Sequence, residues 1–301
     1  MKTFHRKFIN EQEKKEFVHA CENSFYQRLG RITDEIAHRN DFFVIALAGP
    51  TCAGKTTTAH LLIEDLEKCG KKAVVISIDD FFRDHDAKRE VKDEPVDYDS
   101  IDAIDFPYFA ECVKDIYAGK TVRLPHYDFD TQKRDSYREY TRRENDVLIF
   151  EGIQVVYGPI LALLDRDGCC GIFTDVSEDV TVNDIPFSRH EVRLARRLVR
   201  DYRFRSASPD FTFYLWDGVR ENEEKNIFPN GGRLEYQMNS FLEYELFLLK
   251  PYVLSILEEV KEDSAYYPQA RALKEKFVSL PEIVYDLVPR GSMYTEFLGK
   301  K

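Results

Sequence analysis

The stretch AGPTCAGKTTTAH, residues 48–60, combines residue types that can hold a phosphate chain. Gly49, Gly54, Lys55 and Thr56 fit the pattern GxxxxGK[ST]. In this pattern the glycines let backbone N–H groups close around phosphate oxygens, the lysine reaches the outer phosphates, and the hydroxyl is offered to Mg²⁺. The sequence therefore predicts a nucleotide-binding loop formed by Gly49, Thr51, Cys52, Ala53, Gly54, Lys55, Thr56 and Thr57.

Other features narrow the class of nucleotide-binding protein. The chain has no NKxD segment for reading guanine and no LSGGQ segment of a transporter, and 301 residues is short for a helicase. The formal net charge of −11 argues against general binding to nucleic acid, which depends on Lys and Arg neutralising the phosphate backbone. A P-loop kinase or a less familiar NTPase remains.

Two carboxylates stand where phosphoryl transfer needs them. A kinase requires an acid to orient the attacking hydroxyl and oxygen ligands for Mg²⁺, both at the carboxyl edge of the sheet. Asp79 follows the apolar run AVVISI and fits the first role, while Glu151 ends DVLIF and, with Thr56, fits the second. The alternatives are a helix cap or solvated loop for Asp79 and a solvated strand end for Glu151.

A basic stripe marks a helix later in the chain. Its arginines recur at steps of three and four residues, with Val192, Leu194, Ala195, Leu198 and Val199 between them: Arg189, Arg193, Arg196, Arg200 and Arg203. On an acidic protein, such a stripe predicts a lid that closes over the triphosphate. The alternative is a solvated charged helix with local ion pairs.

The elements that carry these residues alternate between strand and helix. Buried strands are predicted at 42–48, 73–78, 146–153 and 171–176, and helices at 11–39, 55–69 and 103–118. From His190 onward the pattern is nearly all helical, with Pro251 breaking one long helix. This succession predicts an α/β fold, a parallel sheet with helices on both faces.

We expect an N-terminal helical extension over residues 1–41, a core with its lid helix over 42–209, and a helical region over 210–301 packed on the core. No run approaches the length of a membrane span, and the first residues lack a secretory signal. The six cysteines show no CxxC spacing. We therefore expect a cytoplasmic protein that acts on a small molecule, without nucleic-acid or membrane partners. Homo-oligomerisation stays open.

Six segments, in order and at similar spacing over residues 43–205, resemble the uridine kinase / phosphoribulokinase family: GPTCAGKTT, ISIDDFFR, YDSIDAIDF, GKTVRLPHYDFDTQKR, DVLIFEGI and VRLARRLVRD. The resemblance implies a P-loop kinase that uses ATP and Mg²⁺. It implies Asp79 as the base for the acceptor hydroxyl, Asp99 on ribose hydroxyls and Tyr127 against a nucleobase. It also implies that arginines of the lid helix reach the substrate or the transferring phosphates: Arg197, Arg200 and Arg205.

The chain departs from this family around the nucleoside. Phe82 replaces a Tyr, Gln132 replaces a His that reads the base, and Ala207 and Leu215 stand where an Arg and a Gln are expected. Lost hydrogen-bond partners in a closed site change selectivity. We hypothesise a kinase of a nucleoside 5′-hydroxyl in which Asp79, Lys55 and Arg200 are catalytic, with altered base preference. The alternatives are another small alcohol, such as a sugar phosphate or a pantothenate-like compound, or an ATP-gated protein-binding module.

Overall fold

The computed structural model describes residues 1–39, 42–84, 100–129, 131–165 and 168–300. The strands within these ranges are β1 Lys2–Phe4, β2 Val44–Ala48, β3 Lys72–Ser77, β4 Thr121–Asp128, β5 Lys133–Thr141, β6 Asp146–Gly152, β7 Cys169–Asp175, β8 Val180–Val182, β9 Ile185–Phe187 and β10 Tyr236–Asn239.

The helices in the same ranges are α1 Glu11–Ala37, α2 Lys55–Lys68, α3 Phe106–Tyr117, α4 Gly158–Leu164, α5 Arg189–Phe204, α6 Pro209–Asn222, α7 Phe228–Gly231, α8 Glu245–Leu257, α9 Tyr267–Val278 and α10 Thr295–Leu298. A π-helical turn, Glu223–Ile227, joins α6 to α7. Among the helices described, none has the length and apolar character needed to cross a membrane.

Five parallel strands form the main sheet in the order β10-β7-β2-β6-β3. The predicted α/β fold with a parallel sheet is confirmed. Strand β2 explains why the sheet must be covered on both faces, since all five of its residues are buried. Ile45 and Leu47 contribute to one hydrophobic core, and Val44, Ala46 and Ala48 to another on the opposite face, as strand alternation requires.

The N-terminal region is mostly one helix. Asn10 caps α1 by accepting from the Glu13 N–H, and the buried face of α1 repeats at helical spacing through Val18, Cys21, Phe25 and Leu29. This face packs into the same core as α2 and α5. Ahead of α1, β1 pairs in parallel with β8, a strand contact that the helical prediction for residues 1–41 does not include.

The prediction of a nearly all-helical chain after His190 is wrong at one strand. Residues Tyr236–Asn239 form β10, which pairs with β7 at the edge of the main sheet. Four residues are too few to show a clear strand period, and the element depends on pairing with a partner far away in sequence. The region after residue 210 thus supplies a strand of the central sheet, and the three-part division of the chain stays a prediction.

Pro251 does not break its helix, contrary to expectation. It lies inside α8, which runs from Glu245 to Leu257. A proline cannot donate to the carbonyl four residues earlier. In this helix that carbonyl, on Phe247, accepts from the backbone N–H of Ile283 at 3.2 Å. The lost bond is replaced from outside the helix, so α8 continues.

A hairpin formed by β4 and β5 lies apart from the main sheet. It was not among the predicted elements because β5 is mostly exposed and rich in charged residues, without an apolar face to mark its period. The Asp80 carboxylate accepts from the Tyr127 N–H of β4 at 3.1 Å, and the Arg138 guanidinium of β5 donates to the Val75 carbonyl of β3 at 2.7 Å. The hairpin is thereby fixed beside β3.

Candidate active site

Adjacent strands of the main sheet deliver the predicted site residues to one edge. Strand β2 leads into the loop 49–54, its neighbour β6 carries Glu151, and β3, beyond β6, leads into a 3-10 turn that begins at Asp79. The Ser77 hydroxyl, opposite Glu151 in register, donates to its carboxylate at 3.0 Å. The loop, Glu151 and Asp79 therefore lie side by side, in this order, along the carboxyl edge of the sheet.

The loop needs glycine at both of its motif positions. A Cβ on Gly49 would lie 2.1 Å from the Thr174 carbonyl oxygen, which is backbone and cannot move away. Gly54, the N-cap residue directly before α2, has a φ of 83°, in the left-handed region that favours glycine. In the part of the chain described, no side chain caps α2, so its first N–H groups remain available to an anion.

Each carbonyl of the loop 49–54 accepts a hydrogen bond. The acceptors and donors are Gly49 and Pro50 with Lys55 Nζ, Thr51 with Arg193, Cys52 with Arg196, Ala53 with the Thr174 hydroxyl, and Gly54 with the Thr58 N–H and hydroxyl. Because each peptide group has its N–H opposite its C=O, holding the carbonyls this way directs N–H groups toward a phosphate. Thr51, Cys52 and Ala53 are buried, and Thr57 is half-buried.

Two fully buried arginines of α5 brace this loop. Arg193 donates to the Thr51 carbonyl at 3.2 Å and pairs with both carboxylate oxygens of Glu223, at 2.5 and 2.6 Å. Arg196 donates to the Cys52 carbonyl at 3.0 Å and pairs with Glu245 at 2.6 Å. The predicted lid stripe is wrong for these two residues: both are 0% exposed, enclosed between the loop and later elements.

Asp175, at the carboxyl end of β7, belongs to the same ionic network. Its carboxylate lies 3.3 Å from Arg193 and 3.8 Å from Arg189. Burial raises the pKa of Asp175 to about 6, against the opposing charges of these arginines. Burial, followed by the charges of the neighbouring arginines, lowers the pKa of His190 to about 3. The network joins the sheet edge to α5 and the π-helical turn.

The remaining arginines of interest gather around Asp201. Arg197 Nε donates to it at 3.1 Å, Arg200 contacts it at 2.7 Å, and Arg205 lies 3.6 Å from it. Arg197 and Arg200 are nearly buried, whereas the side chain of Arg205 is 60% exposed. A single carboxylate thus holds three arginines together, and of these Arg205 has the most freedom to turn toward a ligand.

The predicted metal ligands are accessible. Thr56 is exposed on the first turn of α2, and Glu151 is half-buried. A cavity of about 430 Å³ adjoins both and is also lined by His60, Arg138 and Tyr140. A hydroxyl and a carboxylate at the end of a phosphate loop are the oxygen ligands that Mg²⁺ accepts together with nucleotide phosphates, so these residues fit Mg²⁺.

On the acceptor side, Asp79 is half-buried at the start of its turn, and its neighbour Asp80 is turned toward the hairpin. Burial raises the pKa of Asp80, while the Tyr127 N–H and nearby cations oppose the shift. Asp80 therefore helps to hold the hairpin in place. The role of Asp79 as the carboxylate that serves an acceptor stays a prediction. Asp99 lies outside the described residues.

Three aromatic rings meet beside this turn. Phe82 lies 5.5 Å from Tyr127 and 6.0 Å from Phe129, and the last two are 5.2 Å apart, all edge-to-face. Phe82 and Tyr127 are buried, whereas Phe129 is 53% exposed. Gln132, at the hairpin turn with a φ of 56°, has a buried Oε1 without a hydrogen-bond partner among the described residues. Apolar ring faces and an unsatisfied amide are suited to a flat polar ligand.

The model of the phosphoribulokinase / uridine kinase family matches residues 44–231, more than half of the chain. The chain belongs to this family. The matched range contains the loop, Asp79, the hairpin, Glu151, α5 and the π-helical turn. The match thus covers the predicted site residues, whereas Glu245, the partner of Arg196, lies beyond it. The resemblance inferred from the sequence motifs is confirmed.

Individual relatives are similar at a modest level. Uridine kinase-like protein 3 of Arabidopsis thaliana is 29% identical over 160 residues, 53% of this chain and 30% of that protein. Uridine-cytidine kinase 2-B of Danio rerio is 29% identical, covering 53% of this chain and 58% of its own. Uridine kinase of Lactobacillus helveticus is 29% identical, and the alignment covers 56% of this chain and 71% of that protein. The chain spans less than a third of the length of the first relative.

Solved structures are more distant. A possible uridine kinase from Bacillus stearothermophilus aligns with a TM-score of 0.43 at 19% identity, covering 50% of this chain and 80% of that one. D-glycerate 3-kinase from Cryptococcus neoformans aligns with a TM-score of 0.44 at 15% identity, and the alignment covers 77% of this chain and 93% of that one.

Several residues of this edge were not predicted. Asp175 follows a buried strand just as Glu151 does, so the same rule could have found it. Glu223 and Glu245 lie 30 and 49 residues from the arginines that they pair with, in helical sequence without any marking motif. Only the folded chain shows that these acids anchor the phosphate loop.

Proposed function

We propose that the protein is an ATP-dependent kinase that transfers the γ-phosphate to the 5′-hydroxyl of a nucleoside. One observation carries the proposal. The carboxyl edge of the sheet presents a braced phosphate loop, then Glu151, then Asp79, and the aromatic cluster of Phe82, Tyr127 and Phe129 follows directly. In this proposal the donor site lies on the side of Glu151 and the acceptor site on the side of the aromatic cluster, with Asp79 between them. The names of the uridine kinase relatives support the same activity.

On the donor side, the N–H groups of the loop would hold the phosphates of ATP. Lys55 and Arg200 would supply positive charge where negative charge develops during transfer. Mg²⁺, bound by Thr56 and Glu151, would neutralise phosphate charge. Because Arg193 and Arg196 already fix the loop, little reorganisation is needed when the phosphates bind.

On the acceptor side, Asp79 would orient the 5′-hydroxyl and accept its proton. The rings of Phe82 and Tyr127 would lie against the base, with Asp99 on the ribose hydroxyls and Arg197 nearby as a further substrate contact. Gln132 offers both an amide donor and an acceptor, so it can hydrogen-bond to a base in more than one way. The base preference therefore stays open.

The test is ADP release from ATP and Mg²⁺ with a panel of acceptors: ribonucleosides, deoxynucleosides, sugar phosphates and pantothenate. Turnover should depend on a nucleoside. Asp79→Asn should lower kcat/KM about 100- to 10,000-fold, the usual contribution of a positioned general base, with ATP affinity unchanged. Asp80→Asn is the matched control, because an amide oxygen can still accept the Tyr127 N–H.

Other outcomes point elsewhere. Turnover with a sugar phosphate or pantothenate alone would keep the kinase and exclude the nucleoside. ATP binding without turnover on any acceptor would favour an ATP-gated protein-binding module. Equal losses in Asp79→Asn and Asp80→Asn would contradict the assignment of the base. The expected cytoplasmic location stays a prediction, and homo-oligomerisation stays open.

A further inference from the structure

Residues 288–299, the closing segment, lie against the phosphate loop. A Cβ on Gly54 would be only 2.9 Å from Met293 Cε, so this methionine packs directly on the loop. Met293, Tyr294 and Phe297 are almost completely buried. This segment lies beyond the range matched by the family model, which ends at residue 231.

Polar contacts fix the closing segment to the braces of the loop. The Tyr294 hydroxyl donates to Glu245, the partner of Arg196, and Arg196 in turn donates to the Cys52 carbonyl. At the end of the segment, Arg203 of α5 donates to the Leu298 carbonyl at 3.2 Å. The position of this segment is therefore coupled to the position of the loop.

Glu296 is the acid that this segment brings to the site. Its Oε2 is buried and has no hydrogen-bond partner in the described part of the chain. Burial raises the pKa of Glu296, whereas the charges of Arg200, Lys55 and Arg196 lower it and that of Glu151 raises it further. Glu296 lies one helical turn after Met293, which packs on Gly54, so its carboxylate is close to the loop and to the residues predicted to bind phosphate and metal.

A buried carboxylate oxygen without a hydrogen-bond partner is costly, which suggests that Glu296 Oε2 faces a ligand. None of the described ion pairs joins Glu296 to Lys55, Arg196 or Arg200. A cation between Glu296 and Glu151 would relieve the repulsion between the two carboxylates. An anion would balance the positive charges of Lys55, Arg196 and Arg200. A triphosphate with its Mg²⁺ supplies both, since Mg²⁺ is usually held by one or two carboxylates together with phosphate oxygens.

We propose that Glu296 is a further residue of the phosphate and Mg²⁺ site. Together with Glu151 and Thr56, it binds the Mg²⁺ that accompanies the nucleotide; this inference rests on the proposed use of ATP. Within the described ranges, no group of three or more His, Cys, Asp and Glu side chains could hold a metal ion. The ion therefore needs the nucleotide as well as these residues, and the site forms only when both are bound.

The test compares Glu296→Gln with wild type and with Glu282→Gln, which removes an exposed acid from the same part of the chain. The affinity for ATP is measured by calorimetry with excess Mg²⁺ and with EDTA. Mn²⁺ binding in the presence of ATP is followed by electron paramagnetic resonance. Glu296→Gln should reduce the gain in ATP affinity due to Mg²⁺ about tenfold or more, within the range seen when supporting metal-site residues are lost.

The remaining results overturn the inference. Tighter ATP binding by Glu296→Gln, equal with and without Mg²⁺, would show an acid that competes with phosphate. Unchanged binding would show a purely structural residue.

Thermal unfolding confirms that each variant is folded, and Glu296→Asp, which keeps the charge, should retain part of the Mg²⁺ effect. No acceptor is needed, so a failed acceptor panel with an intact Mg²⁺ effect would refute the nucleoside kinase and leave Glu296 in place.

Discussion

The phosphate side and the acceptor side of the site are built differently. On the phosphate side, each carbonyl of the loop 49–54 accepts a hydrogen bond, and the arginines that brace it are 0% exposed. On the acceptor side, β5 is largely exposed and Phe129 is 53% exposed. The phosphate loop is fixed by buried ion pairs, whereas the proposed acceptor site includes a hairpin that is largely exposed.

This difference follows from what each side has to do. Donors aimed at transferring charge are effective when they are already in place, because they need no reorganisation during the reaction. An acceptor has to enter and a product has to leave, so its site profits from elements with few buried contacts. Variants of the braces should therefore lower mainly the unfolding free energy, and variants of the proposed acceptor site should raise mainly KM for the acceptor.

The largest expected effect comes from removing a brace. Arg196→Met leaves Glu245 buried without its charged partner, and breaking a buried ion pair in this way usually costs about 3–5 kcal/mol of unfolding free energy. The measurement is a urea titration. Replacing both residues, with Arg196→Met and Glu245→Leu together, should recover much of the loss, because no uncompensated charge remains.

Arg134→Met is the matched change on the acceptor side. Arg134 of the hairpin pairs with Asp105 at 3.1 Å and lies 3.6 Å from Asp84, which is half exposed. The side chains of Arg134 and Asp105 are 15% and 22% exposed, so water can partly replace the lost partner. The loss should therefore cost about 1–2 kcal/mol, between the values for an exposed and a fully buried pair. Comparable losses from Arg134→Met and Arg196→Met would remove the contrast between the two sides.

The pH dependence of stability should also distinguish the braces. Burial raises the pKa of Glu245 from 4.5 to about 7, against the opposing charge of Arg196. The folded state therefore binds this proton more tightly, and the contribution of Glu245 to the unfolding free energy should decrease as the pH rises from 4.5 to about 7. The total change is at most about 3 kcal/mol.

Glu245→Gln should remove this decrease. The measurement is the unfolding free energy of wild type minus that of the variant across the pH range. His190, whose pKa is lowered by burial, gives the opposite slope, but it is present in both proteins and cancels in the difference. A difference that rises with pH would mean that Arg196 outweighs burial in setting this pKa.

The same contrast explains what the sequence could predict. The loop, Asp79 and Glu151 each directly follow an apolar strand, so a local pattern was enough to place them at one edge. The role of Arg196 was misjudged because a helical stripe describes one helix only and cannot show that another element covers it. Glu245 and Glu296 depend on contacts with distant segments, which no local period reveals.

Gln132→Ala sharpens the comparison at the acceptor side. The buried Oε1 of Gln132 has no partner among the described residues, so its removal should leave the unfolding free energy unchanged or raise it by about 1 kcal/mol. If the amide is directed at the acceptor, KM for the acceptor should rise about tenfold, near the value of one hydrogen bond. The affinity for MgATP should not change. A gain in stability with KM unaltered would identify the amide as a structural defect rather than a contact to substrate.

The smallest expected effect on stability belongs to Phe129→Ala. Because the ring is half exposed and its contacts with Phe82 and Tyr127 are edge-to-face, its removal should cost about 1 kcal/mol or less of unfolding free energy. If the cluster holds a base, the loss of one ring face should still raise KM for the acceptor several-fold while kcat stays close to wild type, since binding is weakened equally in the ground and transition states. Phe211→Ala, which removes a ring of similar exposure from α6, is the control for stability and should leave KM unchanged. Equal effects of the two variants on KM would separate the aromatic cluster from acceptor binding and confine recognition to the residues around Asp79.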